Sequence, residues 1–311
     1  MKVIVEIGTN STKSVVANSV DGKIVFEDER LYMGRLGEGL FETNCLSDVA
    51  IERNIDILRE IVRVEERFAL SQELHLLPSL QRENVRIIAT QALRCASNHS
   101  VFTDKVKELF DIDIHILTPE EEATCAFYSQ YPARNGLVLD IGGGSTELIM
   151  ESEQVVSKSF PIGAVFLKEL CESAVDDFSS IKEFIGYMFD LLKGYIDISD
   201  THIGSRSLTG IGGTFVTLVS IKRGLAPCDL ALVEGTELVF DEIKNMLDII
   251  IQNNKNSEMK VIKGLPSERA DIMPYGTVIL LYIMRELNIA KAVVSCRGVR
   301  HGYCVSGLCP E

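Results

Sequence analysis

The sequence predicts an α/β protein built from two related domains. Segments with the alternating pattern of strands repeatedly give way to segments whose apolar residues follow helical spacing. The stretch VIVEIGTNSTKSVV near the N-terminus recurs without a gap as LVLDIGGGSTELIM, about one domain length further on. The chain has 311 residues, 46% of them hydrophobic, which is enough for two packed cores.

The first domain is predicted to begin with a run of strands. Asp21 and Gly22 mark a tight hairpin turn, and Ser47 is a plausible N-cap for a long helix that reaches Phe68. Strands are predicted at Val3–Ile7, Ser14–Ala17, Lys23–Arg30, Arg86–Thr90 and Ile112–Leu117, and a second helix at Asp104–Phe110.

The second domain repeats this alternation. Its strands are predicted at Leu137–Ile141, Glu147–Met150, Ser207–Ile211 and Ala292–Ser295. Its helices are predicted at Val165–Cys171, Ser180–Leu192, Phe215–Ile221, Asp241–Ile251 and Glu268–Glu286. We expect the first domain to cover residues 1–120, with the segment 300–311 as an optional addition to it, and the second to cover 121–299.

Composition excludes several classes of protein. The formal net charge of -14 argues against a nucleic-acid binder, which needs a net basic face, although a local basic site or a bound cation could still accept an anionic ligand. No apolar run approaches the ~18 residues of a membrane helix. The eight cysteines include no Cys-x-x-Cys pair, so we expect reduced thiols, no zinc site and a cytoplasmic protein.

The repeated stretch carries an acid-Ile-Gly-x-x-Ser-Thr turn twice. The acid ends a strand, a glycine allows close approach of a ligand, and the backbone N–H groups of such a turn can bind an anion. A plain β-hairpin turn is the alternative, but two copies favour phosphate binding. The predicted phosphate-binding residues are Gly8, Thr9, Asn10, Ser11 and Thr12 in one turn, and Gly142, Gly143, Gly144, Ser145 and Thr146 in the other.

A third glycine motif lies between a strand and a helix. Gly212, Gly213 and Thr214 would stand at the helix N-terminus, which attracts anions. A simple strand–helix turn explains this pattern nearly as well. Phosphate binding at these three residues is therefore the weakest of the three predictions.

The segment LTPEEEA predicts the start of a helix and contains one acid that the helix start does not require. Thr118 fits the N-cap, Pro119 the first helical position, and Glu121 the third, which together form a capping box. The helix dipole explains Glu120. Glu122 has neither task, so it is the acid most available for proton transfer; the alternative is a solvated surface carboxylate.

Taken together, these motifs resemble the exopolyphosphatase / guanosine pentaphosphate phosphohydrolase family (the Ppx/GppA type). The similarity runs along the chain through EIGTNST, ATQALRCASN, LTPEEEA, LVLDIGGGSTELI, FPIGAVFLKE, GIGGTFVTL, GLPSERADIMPYGTVIL and SCRGVRHGY. The resemblance implies two duplicated actin-like ATPase (ribonuclease H-like) domains with an interdomain cleft, in the short form without an extra helical domain.

The resemblance also implies roles for particular residues. Glu122 matches the family's catalytic base, and Arg94 matches an arginine that faces the cleft. Asp140, Glu6 and Glu147 match acids that bind Mg²⁺ directly or through water. Two departures stand out: Glu6 replaces the usual Asp, and Thr124 replaces an Arg, so metal geometry and activity could differ from those of the family.

The resemblance predicts an exopolyphosphatase that releases orthophosphate from polyphosphate with Mg²⁺, and that could convert guanosine pentaphosphate to tetraphosphate. A homodimer is implied. Further basic residues could guide the substrate but are expected to be solvated surface charges: Lys13, Arg206, Arg269, Arg297 and Arg300. The alternatives are a non-catalytic guanosine alarmone sensor, an acetate- or sugar-kinase-like phosphotransferase, and an actin-like filament protein.

Overall fold

The computed structural model describes residues 1–71, 84–130, 136–151, 155–171, 180–198, 207–225, 230–255 and 261–309. The chain divides into two compact units. The first comprises Met1–Ser129 together with Val299–Glu311, and the second comprises Gln130–Gly298. Each unit is built around its own mixed β-sheet.

The first unit contains a five-stranded sheet with the order β3-β2-β1-β4-β5. Its strands are β1 (Lys2–Ile7), β2 (Thr12–Val20), β3 (Lys23–Tyr32), β4 (Val85–Ala89) and β5 (Ile114–Ile116). The first three are antiparallel neighbours, whereas β4 and β5 continue the sheet in parallel with β1. The α-helices of its first segment, Met1–Ser129, are α1 (Leu40–Thr43), α2 (Asp48–Ser71), α3 (Gln91–Cys95), α4 (His99–Phe110) and α5 (Pro119–Tyr128).

The second unit contains a six-stranded sheet with the order β10-β11-β9-β6-β7-β8. Its strands are β6 (Gly136–Ile141), β7 (Thr146–Glu151), β8 (Val155–Phe160), β9 (Ser207–Ile211), β10 (Glu237–Val239) and β11 (Lys291–Val294). Its helices are α6 (Ala164–Cys171), α7 (Ile181–Leu192), α8 (Gly213–Arg223), α9 (Leu230–Val233), α10 (Phe240–Lys255) and α11 (Met273–Glu286). The last helix, α12 (Val299–Val305), belongs to the first unit.

The duplication seen in the sequence is also present in the two sheets. Strands β1 and β2 form a hairpin that closes at Ile7 and Thr12, and β6 and β7 form one that closes at Ile141 and Thr146. In each unit the first strand of the hairpin pairs in parallel with a later strand, β4 or β9. The predicted α/β class and the repeated hairpin are therefore confirmed.

The cores follow from the apolar pattern of the central elements. Val3, Ile4, Val5 and Ile7 of β1 are all essentially inaccessible, as expected for a central strand covered on both faces. Every residue from Met273 to Met284 of α11 is buried, which explains why that helix is apolar all round. Within the described residues no helix is both long and apolar enough to cross a bilayer.

The predicted domain boundary at residues 120/121 is wrong. It falls inside α5, a single helix that belongs wholly to the first unit, and the division lies at Ser129/Gln130 instead. Helix α5 is held there by α12, because Gly302 packs against its backbone so closely that a Cβ would lie 1.6 Å from the Cys125 carbonyl oxygen. The return to the first unit begins at Val299.

Long elements agree with the predictions better than short ones. The predicted hairpin turn at Asp21–Gly22 is present, with left-handed backbone at both residues, and Ser47 accepts a hydrogen bond from the Ala50 N–H as the N-cap of α2. The helix predicted at Glu268–Glu286 is instead a 3₁₀ turn at Ser267–Arg269 followed by α11, which has a proline in its first turn. That proline lacks an N–H and cannot continue a helix from the preceding turn.

Candidate active site

The first glycine turn has a fixed shape. The Gly8 N–H donates to the Ser11 carbonyl at 3.0 Å, which closes the turn. The following loop clamps it, because the Arg35 N–H donates to the Asn10 carbonyl and the Gly37 N–H to the Thr9 carbonyl, both at 2.9 Å. The carbonyl groups of Thr9 and Asn10 therefore already accept hydrogen bonds from the following loop.

The N–H groups of the same turn have no such partners. Within the described residues, the N–H groups of Thr9, Asn10 and Ser11 donate to no acceptor. The Asn10 Nδ2 is also buried without a hydrogen-bond partner in the described part of the chain. Consecutive unpaired N–H groups form a concave anion site, and an orphaned buried donor needs an acceptor from a ligand or water.

A buried asparagine supports this turn from α2. Thr12 Oγ1 donates to Asn54 Oδ1 at 2.9 Å, and Asn54 Nδ2 donates to the Gly34 and Ala50 carbonyls, each at 2.8 Å. Asn54 is only 1% exposed. Sequence reasoning missed this residue, although a polar side chain next to Ile51 and Ile55 on an apolar helical face was a usable signal.

The second glycine turn has the same internal bond and a different support. The Gly142 N–H donates to the Ser145 carbonyl at 3.0 Å, and the first N–H groups of α6 donate to the carbonyls of Gly142 and Gly143. Gly163 lies so close to Gly143 that a Cβ would clash with its backbone. In the described part of the chain the N–H groups of Gly143, Gly144 and Ser145 again have no acceptor, so this turn can also bind an anion.

The acid of the first turn is already paired with two cations. Lys13 Nζ donates to Glu6 Oε1 at 2.9 Å, and the Arg300 backbone N–H donates to Glu6 Oε2 at 3.3 Å. Burial alone would raise the pKa of Glu6, but the charges of Lys13 and Arg300 and their hydrogen bonds outweigh it and hold that pKa below its ordinary value. Glu6 is therefore ionised and internally compensated.

The acid of the second turn faces another acid. Asp140 and Glu147 are directly opposite each other in the β6–β7 hairpin, so their side chains lie on the same face of the sheet. Ser159 Oγ donates to Glu147 Oε1 at 3.0 Å, and Asp140 lies beside Gly212, where a Cβ would be 2.6 Å from Oδ1. Two facing carboxylates repel each other unless a cation or a proton lies between them.

This pair fits Mg²⁺ better than Glu6 does. Mg²⁺ typically takes one or two protein carboxylates and completes its shell with water and phosphate oxygens. No cluster of three or more metal-binding side chains occurs among the described residues, so the protein would supply two carboxylates at most in this region. Asp140 and Glu147 meet that requirement, whereas both oxygens of Glu6 already have cationic or N–H partners.

The third glycine motif lies against a buried arginine. Gly212, Gly213 and Thr214 stand at the N-terminus of α8, as predicted, and a Cβ on Gly213 would lie 1.9 Å from Arg269 Nη1. The Arg269 guanidinium is 7% exposed and has no hydrogen bond or ion pair within the described residues. Burial lowers the pKa of Arg269 to about 10, so it stays charged at neutral pH. The expectation of a solvated surface charge is wrong for Arg269.

Glu122 is the predicted base, and the structure buries it next to a cation. The capping box formed by Thr118 and Glu121 is confirmed, which leaves Glu122 outside the cap. Glu122 is 7% exposed, and its Oε2 lies 2.6 Å from Arg94 Nη1. Arg94 is fixed in turn, because it also donates to the Leu117 carbonyl at 2.7 Å and to Gln91 Oε1 at 3.0 Å. The alternative of a solvated surface carboxylate is therefore wrong.

The remaining predicted residues differ in their surroundings. Arg297 is exposed, as expected, whereas Arg300 is buried and contacts both Glu6 and Glu29, so the surface prediction is wrong for Arg300. Arg206 lies outside the described residues. Thr124, which replaces the family's arginine, donates to the Glu120 carbonyl of its own helix at 2.7 Å.

Each unit thus holds its own set of site residues. The first holds Glu6, the turn at 8–12, Arg94 and Glu122, and the second holds Asp140, the turn at 142–146, Glu147 and the motif at 212–214. Two mixed α/β sheets, each with a hairpin turn open to an anion, define the class as the actin-like α/β type. The chain belongs to the Ppx/GppA phosphatase family, whose model matches residues 15–310.

Individual relatives agree with this assignment. The chain is 28% identical to a bifunctional 3-dehydroquinate synthase/phosphatase of Fusobacterium nucleatum over 91% of its length, and to a guanosine-5′-triphosphate,3′-diphosphate pyrophosphatase of Aliivibrio fischeri over 98%. It spans 43% and 58% of those two proteins. A crystal structure of the Aquifex aeolicus Ppx/GppA family member has a TM-score of 0.75 at 27% identity, covering 98% of this chain and 96% of that one.

Proposed function

We propose that this protein is an exopolyphosphatase, which hydrolyses the terminal phosphoanhydride bond of inorganic polyphosphate and releases orthophosphate. Membership of a phosphatase family supports hydrolysis of a phosphate bond. The observation that carries the proposal is the buried Glu122 carboxylate, fixed by Arg94 in the same unit as a turn with three N–H groups open to an anion. Because a relative is named a guanosine-5′-triphosphate,3′-diphosphate pyrophosphatase, we extend the proposal to conversion of guanosine pentaphosphate to tetraphosphate.

The phosphate groups would be bound mainly by backbone. The open N–H groups of the turns at 8–12 and 142–146 suit phosphate oxygens, and Asn10 Nδ2 offers a further donor. The helix N-terminus at 212–214, with the buried charge of Arg269 against it, would take a second phosphate along the chain. The second unit alone would therefore offer two places for the phosphates of a polyanion, the turn at 142–146 and the helix N-terminus at 212–214.

Asp140 and Glu147 would hold Mg²⁺ in this proposal. When bound, the ion would neutralise charge that develops on the phosphate oxygens during the reaction. The two carboxylates face each other across the β6–β7 hairpin, and Ser159 fixes one oxygen of Glu147. Glu6 would hold the first turn in place through its contacts with Lys13 and Arg300, and would not bind the metal ion.

Glu122 would act as the general base. Its carboxylate would accept a proton from a water molecule while the water oxygen forms a bond to the terminal phosphorus. The bridging P–O bond breaks, its electron pair stays on the shortened chain, and the terminal group leaves as orthophosphate. Arg94 holds the Glu122 carboxylate in one orientation, because its guanidinium is itself held by Leu117 and Gln91.

Substitution of Glu122 tests this proposal. Glu122→Gln keeps the size of the side chain but cannot accept the proton, so we expect kcat for phosphate release from long-chain polyphosphate with Mg²⁺ to fall about 10²–10⁴-fold. Glu120→Gln is the matched control, because Glu120 is an exposed acid of the same helical turn, and it should leave kcat unchanged. Equal rates for the parent and Glu122→Gln would show that Glu122 is not the base.

A non-catalytic guanosine alarmone sensor is the second candidate. Two observations favour it: Glu6 is neutralised by Lys13 and Arg300, and among the described residues Thr124 bonds only to its own helix. Calorimetric titration with guanosine tetraphosphate separates the two functions. Tight binding without phosphate release from either substrate, across several metals and polyphosphate lengths, would favour the sensor and reject the hydrolase.

The proposal includes a homodimer that works in the cytoplasm. The described cysteines are free thiols, which is compatible with a reducing compartment. Sedimentation equilibrium at several protein concentrations tests the dimer. A single species at 34.5 kDa, the mass of one chain, would reject it.

A further inference from the structure

A histidine of β5 lies between a buried tyrosine of α12 and the acid that caps α5. His115 Nδ1 is 3.1 Å from the Tyr303 hydroxyl oxygen, and His115 Nε2 is 3.4 Å from Glu121 Oε2. The histidine and tyrosine rings meet edge to face, with centroids 5.8 Å apart and an interplanar angle of 65°. All three residues belong to the first unit. The His115 side chain therefore connects α12 to the first turn of α5.

The burial of Tyr303 determines the direction of the first contact. Tyr303 is 2% exposed, and within the described residues His115 is the hydrogen-bond partner of its hydroxyl group. Burial raises the pKa of Tyr303 to about 12, so the hydroxyl keeps its proton at neutral pH. A buried hydroxyl proton needs an acceptor, and Nδ1 of a neutral imidazole is one only when the ring hydrogen is on Nε2. That hydrogen then lies on the side of the ring that faces the Glu121 carboxylate.

Glu121 is in contact with two parts of the first unit at once. Its Oε2 accepts a hydrogen bond from the Thr118 N–H at 2.9 Å as part of the capping box, and the same oxygen is the one near His115. The next residue along the chain is Glu122, the proposed base. A contact that fixes the Glu121 side chain therefore restricts the backbone from which Glu122 extends.

Glu122 has little tolerance for a shift of that turn. Its Oε2 lies 2.6 Å from Arg94 Nη1, and the same nitrogen donates to the Leu117 carbonyl at 2.7 Å. Leu117 immediately precedes the N-cap of α5. A rotation of the first turn would lengthen one of these two contacts, and misplacement of a reacting group by about 1 Å can lower a rate about 10²-fold.

We propose that His115 is a positioning residue for hydrolysis, which couples Tyr303 of α12 to the capping acid Glu121 and so keeps the first turn of α5 in the orientation that Glu122 needs. His115 acts through Glu121 rather than on the reacting groups. The inference rests on the proposed role of Glu122 as the base. Motif spacing does not indicate it, because His115 and Tyr303 are 188 positions apart in the sequence.

Steady-state kinetics with long-chain polyphosphate tests the positioning role. His115→Phe keeps a planar ring but removes both nitrogens, so we expect kcat for phosphate release to fall about tenfold. KM should stay within about twofold of the parent, because the phosphate-binding turns are unchanged. His115→Gln keeps an N–H donor for Glu121 and should recover most of the lost kcat. The matched control is His99→Phe, which replaces an exposed histidine of the same unit and should change neither constant.

The recovery in His115→Gln distinguishes positioning from a loss of folded protein. Destabilisation alone would lower the concentration of active molecules in proportion to the unfolded fraction, which thermal unfolding measures for each variant. An unchanged kcat in His115→Phe would overturn the inference. An equal fall in kcat for His115→Phe and His115→Gln would also overturn it.

Nitrogen NMR of ¹⁵N-histidine-labelled protein tests the bridge without any substrate. At about pH 9, where an ordinary histidine is neutral, His115 should carry its ring hydrogen on Nε2. Tyr303→Phe removes only the hydroxyl and should shift the Nδ1 signal, whereas Glu121→Gln keeps a residue that can close the cap and should shift the Nε2 signal. The control Glu120→Gln should shift neither. A hydrogen on Nδ1, or an Nδ1 signal that does not respond to Tyr303→Phe, would overturn the inference.

A double-mutant cycle tests the coupling between the histidine and the tyrosine. Tyr303→Phe should lower kcat about threefold in the parent and should have almost no further effect in the His115→Phe background. The same effect in both backgrounds would show that Tyr303 does not act through His115, and would overturn the inference.

Failure of the inference can be told apart from failure of the proposed function. A parent that releases phosphate with a kcat that depends on Glu122 but not on His115 contradicts the inference alone. A parent that releases no phosphate, or that keeps full activity in Glu122→Gln, contradicts the proposed base and the positioning role together.

Discussion

At the scale of single residues, three consecutive acids have three different environments. Glu120 is exposed, Glu121 closes the capping box, and Glu122 is buried against Arg94. The sequence was sufficient to single out Glu122, because the cap and the helix dipole account for the other two. Its ion pair could not be deduced from spacing, since Arg94 lies on a different helix and is brought to it only by the fold.

Asn54 provides a test of how the first turn is supported. Asn54→Ala removes the buried partner of Thr12 Oγ1 and one of the two partners of the Gly34 carbonyl, so we expect the free energy of unfolding to fall by about 2–3 kcal/mol. The control Asn18→Ala removes one exposed hydrogen bond to Glu27 and should change it by less than about 0.5 kcal/mol. Both values come from urea unfolding. Equal values for the two variants would contradict a supporting role for Asn54.

At the scale of elements, the hairpins and long helices could be predicted, and the short elements could not. Strands β1 and β6 have the continuous apolar pattern of covered central strands, and the turn residues after them mark their ends. Helix α12 has only seven residues and no clear period, so nothing local indicates it. Its position depends on packing against α5, which is a tertiary effect.

Gly302 tests that packing. A Cβ at this position would lie 1.6 Å from the Cys125 carbonyl oxygen, so Gly302→Ala should force α12 away from α5 and lower the free energy of unfolding by about 3 kcal/mol. The control is Gly186→Ala in α7, where a Cβ would meet nothing within 4 Å, and it should be neutral or stabilise by up to about 1 kcal/mol. Thermal and urea unfolding measure both variants. A neutral Gly302→Ala would show that the helices do not pack this closely.

At the scale of the whole molecule, the sequence predicted the duplication and offered residues 300–311 as an optional addition to the first domain, and the structure assigns Val299–Glu311 to that unit. The ungapped repeat indicated two related units and aligns Lys13 with Glu147, but only the strand register shows that each of these residues faces the acid of its own turn. The contact between Glu6 and Arg300 joins residues that are 294 positions apart in the sequence. No periodicity or motif spacing encodes such a contact.

The ion pairs around Arg300 predict a pH dependence of stability. Burial would raise the pKa of Glu29, but a hydrogen bond with His301 and the charge of Arg300 outweigh it and lower that pKa to about 2. A lowered pKa means that Glu29 stabilises the fold above its ordinary value of 4.5, and that this contribution is lost as the pH falls towards 2. Between about pH 5 and about pH 3, the unfolding free energy of the parent should therefore fall more than that of Glu29→Gln.

The matched control for this measurement is Glu27→Gln. Glu27 lies on the same strand, is exposed and hydrogen-bonds Asn18. Its pH dependence in urea unfolding should follow the parent. An identical acid dependence in all three proteins would show that Glu29 is not stabilised by Arg300 and His301.

The position of α12 has a consequence for synthesis of the protein on the ribosome. Strand β1 is translated before the second unit, yet Arg300, which fixes Glu6 of that strand, is translated after the whole of the second unit. The first unit must therefore wait, with the α5 surface around Cys125 and Ser129 uncovered, until α12 has left the exit tunnel. The second unit, which is contiguous in sequence, can complete its core earlier. The first unit is thus started before the second unit and completed after it.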